Sequence, residues 1–70
     1  MNNELKPLPV RKYEVFMTTG GEIDIDMFEA DDRQFDVVEN SLKFYRTGNL
    51  IREYFDPHST VRKVVATPVD

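Results

Sequence analysis

His58 is the only histidine of the chain, and it lies in Asp56-Pro57-His58-Ser59, which puts a carboxylate, an imidazole and a hydroxyl side by side. Those are the parts of a nucleophilic triad. A triad, however, needs side chains that converge from separate elements to within about 3 Å, and neighbours along a turn diverge. Asp, Pro and Ser are good turn formers in their own right. The motif therefore reads as a loop, no catalytic residue is assigned, and the expectation is of a protein that is not an enzyme.

A second concentration of chemistry lies between Glu22 and Asp32, where Glu22, Asp24, Asp26, Glu29, Asp31 and Asp32 occur with no basic residue among them. Such a run can be a solvated face, a surface that steers a basic partner, or a divalent-cation site. The Asp-x-Asp-x-Asp-Gly spacing of a calcium loop is missing, so no metal ligand and no cofactor are assigned. Carboxylates on one strand face repeat at about 6.6–7 Å, a spacing on the scale of a nucleic-acid backbone. A basic, nucleic-acid-binding protein surface is the partner this run would suit. The third constellation is Lys43, Tyr45, Arg52 and Tyr54, cations interleaved with aromatics, which on one face would stack bases and meet phosphates. Its competing reading is internal cation–π pairing.

The elements that must carry these groups are strands. Val10 to Thr18 alternates Tyr13, Val15 and Met17 on one side, and Glu22 to Phe28 alternates Ile23, Ile25 and Met27. Alternation on both sides of a glycine turn is a hairpin signature. A two-residue Gly20-Gly21 loop would pair Met17 with Asp24 and Val15 with Asp26, mixing carboxylates with apolar side chains. A three-residue loop, Thr19 to Gly21, pairs Met17 with Ile23, Val15 with Ile25 and Tyr13 with Met27, and is preferred. The outward face then carries Glu14, Phe16 and Thr18 against Glu22, Asp24 and Asp26. Glu14 and Asp26 oppose each other there, a repulsion that a partner's Lys or Arg would relieve. These residues, with Glu29, Asp31 and Asp32, form the expected partner-binding acidic face.

A brief helical turn is expected near Ala30 to Arg33, then a strand from Phe35 to Glu39, although Asp31 with Gln34 also resembles a capping box for a helix over 32–40. Asn40-Ser41 reads as a turn. Leu42 to Arg46 leads into a Gly48-Asn49 hairpin loop that pairs Leu42 with Phe55, Lys43 with Tyr54 and Tyr45 with Arg52. Thr60 to Ala66 is the last strand. Six short strands indicate a mostly β fold, a small antiparallel meander that either closes as an SH3-like barrel, ranked slightly ahead, or stays a strongly bent sheet. The expected organisation is an N-terminal arm over 1–9, one β domain over 10–66 and a tail over 67–70.

The pattern Leu42-Lys43-Phe44-Tyr45-Arg46-Thr47-Gly48, followed by Leu50-Ile51, Val61 and Val64-Val65, resembles a loose class of small β-meander proteins common in phage and actinobacterial genomes. The resemblance brings no catalytic residues; it implies an accessory role exercised by binding.

Composition bounds the rest. Seventy residues with no cysteine exclude disulfides and thiolate metal sites, and so small a core makes self-association or a partner chain an expected source of extra buried area. Thirteen acidic against nine basic residues, a net charge of −4, argue against non-specific binding to nucleic acid or anionic membranes. No run approaches the ~18 apolar residues of a membrane span, and the first residues lack the apolar centre of a secretory signal, so a cytoplasmic location is expected. The function expected is a protein-binding module, an accessory or inhibitory factor acting on a basic partner. A nucleic-acid-binding barrel and a subunit stable only as an oligomer are the alternatives.

Overall fold

The two glycines of the first turn decide how the chain is laid out. Gly20 and Gly21 both take left-handed backbone angles, φ 58° and 86°. That combination is the primed two-residue turn whose twist matches paired strands, and it closes directly on Thr19 and Glu22. In this computed structural model, which describes residues 9–69, β1 (Arg11–Thr19) and β2 (Glu22–Ala30) therefore pair in the two-residue register. Met17 faces Asp24, Val15 faces Asp26 and Tyr13 faces Phe28. The three-residue register expected from the sequence is corrected: every side chain of β2 lies on the opposite face from the one anticipated, as a one-residue slip requires. The arm expected over 1–9 lies outside the described residues except for Pro9, as does Asp70 of the expected tail.

The remaining elements are β3 (Asp32–Asp36), β4 (Ser41–Arg46), β5 (Asn49–Phe55), a helical turn α1 (Pro57–Thr60) and β6 (Val61–Pro68). They form two three-stranded antiparallel sheets, ordered β2-β1-β6 and β3-β4-β5. The fold is the mostly β meander expected, in its bent form: no closed barrel forms among the described residues. The helical turn lies at Pro57–Thr60 and not at Ala30 to Arg33, because Asp31 bends the chain from β2 straight into β3 with its N–H bonded to the Tyr45 carbonyl at 3.0 Å. The strand expected at Phe35 to Glu39 starts and ends earlier. Val37, Val38, Glu39 and Asn40 make the turn instead, with Glu39 N–H donating to Asp36 Oδ1 at 3.0 Å. β6 extends past Ala66 to Pro68, which pairs with Arg11, so Thr67 and Pro68 of the expected tail are strand.

The β4–β5 turn is Thr47-Gly48, not Gly48-Asn49, with φ 52° and 78°. A bulge between Phe44 and Tyr45 then shifts the ladder, so that Phe44 opposes Arg52 and Leu42 opposes Tyr54. The extra residue, Ile51, turns into the core.

The core lies between the inner faces of the two sheets. Tyr13, Val15, Ala30 and Phe44 are buried, with Met17, Phe28, Leu42, Ile51, Tyr54, Val61 and Val64 packed around them. Its centre is aromatic. Phe44 meets Tyr13 edge-on at 4.9 Å and Phe28 at 4.8 Å, while Phe28 stacks on Tyr13 at 5.8 Å. Truncating a fully buried Phe costs about 3–5 kcal/mol, as much as a core in a chain of this size contributes in all. Phe44→Ala is therefore expected to abolish the cooperative urea transition at 25 °C. A β-branched residue held at positive φ is strained by about 1–2 kcal/mol, so Thr47→Asn is expected to raise stability by about 0.5–1 kcal/mol in the same measurement.

Candidate functional site

The corrected register sorts β1 and β2 into two faces. Glu14, Phe16 and Thr18 share the outer face with Ile23, Ile25 and Met27, whereas Glu22, Asp24 and Asp26 lie on the inner side with Met17 and Val15. The acidic face expected from the sequence is thereby divided. Glu14 opposes Met27 and not Asp26, so the like-charge pair that hinted at a cationic partner does not form.

Asp26 points between the sheets. Its Oδ2 accepts from Arg52 Nε at 2.9 Å and from the Tyr54 hydroxyl at 2.5 Å, joining β2 to β5. The Arg52 guanidinium also lies 5.1 Å from the centre of the Phe28 ring. Burial opposes ionisation of Asp26, but the hydrogen bonds from Tyr54 and Arg52, the guanidinium charge and the Met27 N–H together outweigh it, leaving the pKa below the ordinary value. The same contacts act on the partners: burial, then Asp26, raises the pKa of Tyr54, and the hydrogen bond to Asp26 raises that of Arg52.

The other expected binding carboxylates divide between structural and free. Asp31 Oδ2 accepts the Thr47 N–H at 2.9 Å, which clamps the β4–β5 turn against the corner between the sheets. Asp32 accepts from Gln34 Nε2 at 3.0 Å, and Glu29 pairs with Arg46 at 3.2 Å. Glu14, Glu22 and Asp24 make no ion pair among the described residues. Groups of three or more metal-ligating side chains do not converge among the described residues.

The basic-aromatic face is also divided. Arg52 and Tyr54 face inward with Phe44 and Leu42, while Lys43 and Tyr45 lie on the opposite side of the sheet. The bulge at Phe44 is the cause: the Thr47-Gly48 turn alone would pair Lys43 with Arg52 on one face, and the one-residue shift at the bulge moves Lys43 opposite Glu53. Lys43 Nζ is held by Glu39 at 2.6 Å, Asp36 at 3.1 Å and Glu53 at 3.7 Å. Hydrogen bonds to Glu39 and Asp36 raise its pKa, and the Glu39 N–H with Lys43 lowers that of Asp36. Neither Lys43 nor Arg52 is a free cation.

At the helical turn, Asp56 Oδ1 accepts from Asn40 Nδ2 at 3.4 Å, and the Asp56 carbonyl accepts the N–H groups of Ser59 and Thr60. His58 lies edge-on to Phe35 at 6.3 Å, over an open apolar cleft of about 400 Å³ that Leu42, Pro57 and Val61 complete. Asp56, His58 and Ser59 thus serve the turn.

What sequence reasoning missed is the outer face of β2. Ile23, Ile25 and Met27 are 60%, 50% and 56% exposed on an edge strand, with Phe16 beside them under the Lys63 ammonium at 4.8 Å. The signal was the Gly20-Gly21 pair, whose preference for a two-residue turn places these side chains outside. No family model, no curated protein and no solved structure matches the chain. No helix among the described residues is long and apolar enough to cross a membrane.

A carboxyl with a lower pKa folded than unfolded binds fewer protons when folded. Its stabilising contribution is complete above the unfolded value near ~3.9 and is lost as pH falls through the folded value. Wild-type stability is accordingly expected to fall below about pH 4. Asp26→Asn should be less stable at neutral pH by about 1–2 kcal/mol, a charge-assisted hydrogen bond discounted for the exposure of Arg52. It should also show a shallower acid limb in urea melts taken from pH 7 to pH 2.

Proposed function

We propose that this protein is a non-enzymatic binding module, an accessory or inhibitory factor, that engages a basic protein partner through the β2 side of the β2-β1-β6 sheet. The observation that carries the reading is the segregation along β2: exposed Ile23, Ile25 and Met27 on one face, and on the other Glu22 and Asp24, which make no ion pair among the described residues. Contiguous exposed apolar side chains rimmed by charge are the usual mark of a protein-interaction surface. Carboxylates beside such a patch steer a cationic partner and disfavour an acidic one.

The partner-binding set differs from the one expected from the sequence. Ile23, Ile25, Met27, Phe16, Glu22 and Asp24 compose it, with Glu14 at its margin. Asp26, Glu29, Asp31 and Asp32 have structural partners of their own.

The test uses the immobilised chain and a lysate of the cells that naturally make it. A retained protein should be released both by Asp24→Lys and by the Ile23→Thr/Ile25→Thr double variant, and its retention should weaken as salt rises. Retention unchanged by both variants, or indifferent to salt, would contradict the reading.

A further inference from the structure

We propose that the free edge of β2, from Glu22 to Asp26, receives an extended partner segment as an added antiparallel strand, and that this segment alternates apolar and cationic side chains. The inference rests on the binding role proposed above and specifies how the partner is held.

Among the described residues β2 is the terminal strand of its sheet, and one of its two edges has no neighbouring strand there. The two-residue turn makes Thr19 and Glu22 the hydrogen-bonded closing pair. In an antiparallel ladder the bonded and non-bonded pairs alternate, so Ile23 and Ile25 turn their N–H and C=O groups to the open edge. The free stretch ends at the corner between the sheets, where the Asp31 N–H bonds to the Tyr45 carbonyl of the second sheet. Exposed edges of this kind are templates for strand addition.

The side chains state what the added strand must carry. Residues opposite Ile23 and Ile25 share the apolar outer face, and residues opposite Glu22 and Asp24 share the carboxylate face. An incoming strand therefore needs apolar side chains alternating with Lys or Arg. A second copy of the chain does not meet that requirement through β2, because Glu22, Asp24, Asp26 and Glu29 are its charged residues and none is cationic. Antiparallel self-pairing would set carboxylate against carboxylate. Nor does β6, the other edge strand of this sheet, since a bulge at Arg62 brings it to Thr18 while Lys63 lies over Phe16, so both cations reach the outer face and none is left for the carboxylate face. Lys63 already covers Phe16, and Pro68 has no N–H to offer.

The test titrates the full chain, at low salt, with a seven-residue peptide alternating lysine and valine. Three comparison peptides are used: one with the same residues in two blocks, one with its valines N-methylated, and one with glutamate replacing lysine. The alternating peptide should bind and should slow amide exchange at Ile23 and Ile25. The N-methylated peptide should bind at least about tenfold more weakly, because the valines opposite Ile23 and Ile25 supply the inter-strand donors. The glutamate peptide should not bind. Ile25→Pro removes an edge-facing donor without touching the β1 ladder, so it should keep the wild-type dichroism spectrum and lose the peptide. If the blocked and N-methylated peptides bind as well as the alternating one, strand addition is overturned while the binding role stands. If no lysine peptide binds, both fail. Self-association of the chain that protects Ile23 and Ile25 without peptide would overturn the assignment of a basic partner strand.

Discussion

The Asp26 carboxylate is the point on which the two sheets depend. It sits on β2, accepts from Arg52 and Tyr54 of β5, and lies next in line to Phe28, whose ring carries the Arg52 guanidinium on one side and packs against Phe44. A carboxylate turned toward an apolar interior is costly unless it is charge-paired and hydrogen-bonded. With both donors in place, the two-residue register becomes the one in which Phe28, and not Met27, faces Tyr13. That exchange builds the aromatic centre of the core. Without the donors, the same register would strand a negative charge beside Val15.

Satisfying the inner face in this way leaves the outer one apolar. Ile23, Ile25 and Met27 are exposed because Asp24, Asp26 and Phe28 took the inward positions, and a period of two allows no compromise. Glu22 and Asp24 face inward too, but both are exposed. Among the described residues the strand thus combines an exposed apolar row with carboxylates that make no ion pair. Elsewhere the acidic residues are committed: Asp31 to the Thr47 turn, and Asp36, Glu39 and Glu53 to Lys43. Among the described residues most of the acidic side chains are therefore architecture, and those left over are confined to the first hairpin.

This confinement also explains why the charge patterns in the sequence overstate the binding surfaces. Six carboxylates between Glu22 and Asp32 look like one patch on paper. In three dimensions the chain crosses from one sheet to the other within that span, and alternate residues face opposite ways. Lys43, Tyr45, Arg52 and Tyr54 look like one basic-aromatic face for the same reason, and a single bulge separates them.

The alternation of Tyr13, Val15 and Met17, the glycine pair, the aromatic strand around Phe44 and the valines of β6 were enough to determine a small antiparallel β protein, because strand periodicity and turn chemistry are local properties. They also marked Asp56 to Ser59 as a turn. Register was not local. Choosing between a two-residue and a three-residue loop required knowing that Arg52 and Tyr54, more than twenty-five residues away in sequence, would reach Asp26. Choosing the second hairpin required the Asp31 clamp that holds Thr47 at positive φ. Tertiary packing alone decided which face of each strand met water, since the donors that make an inward carboxylate tolerable come from the other sheet.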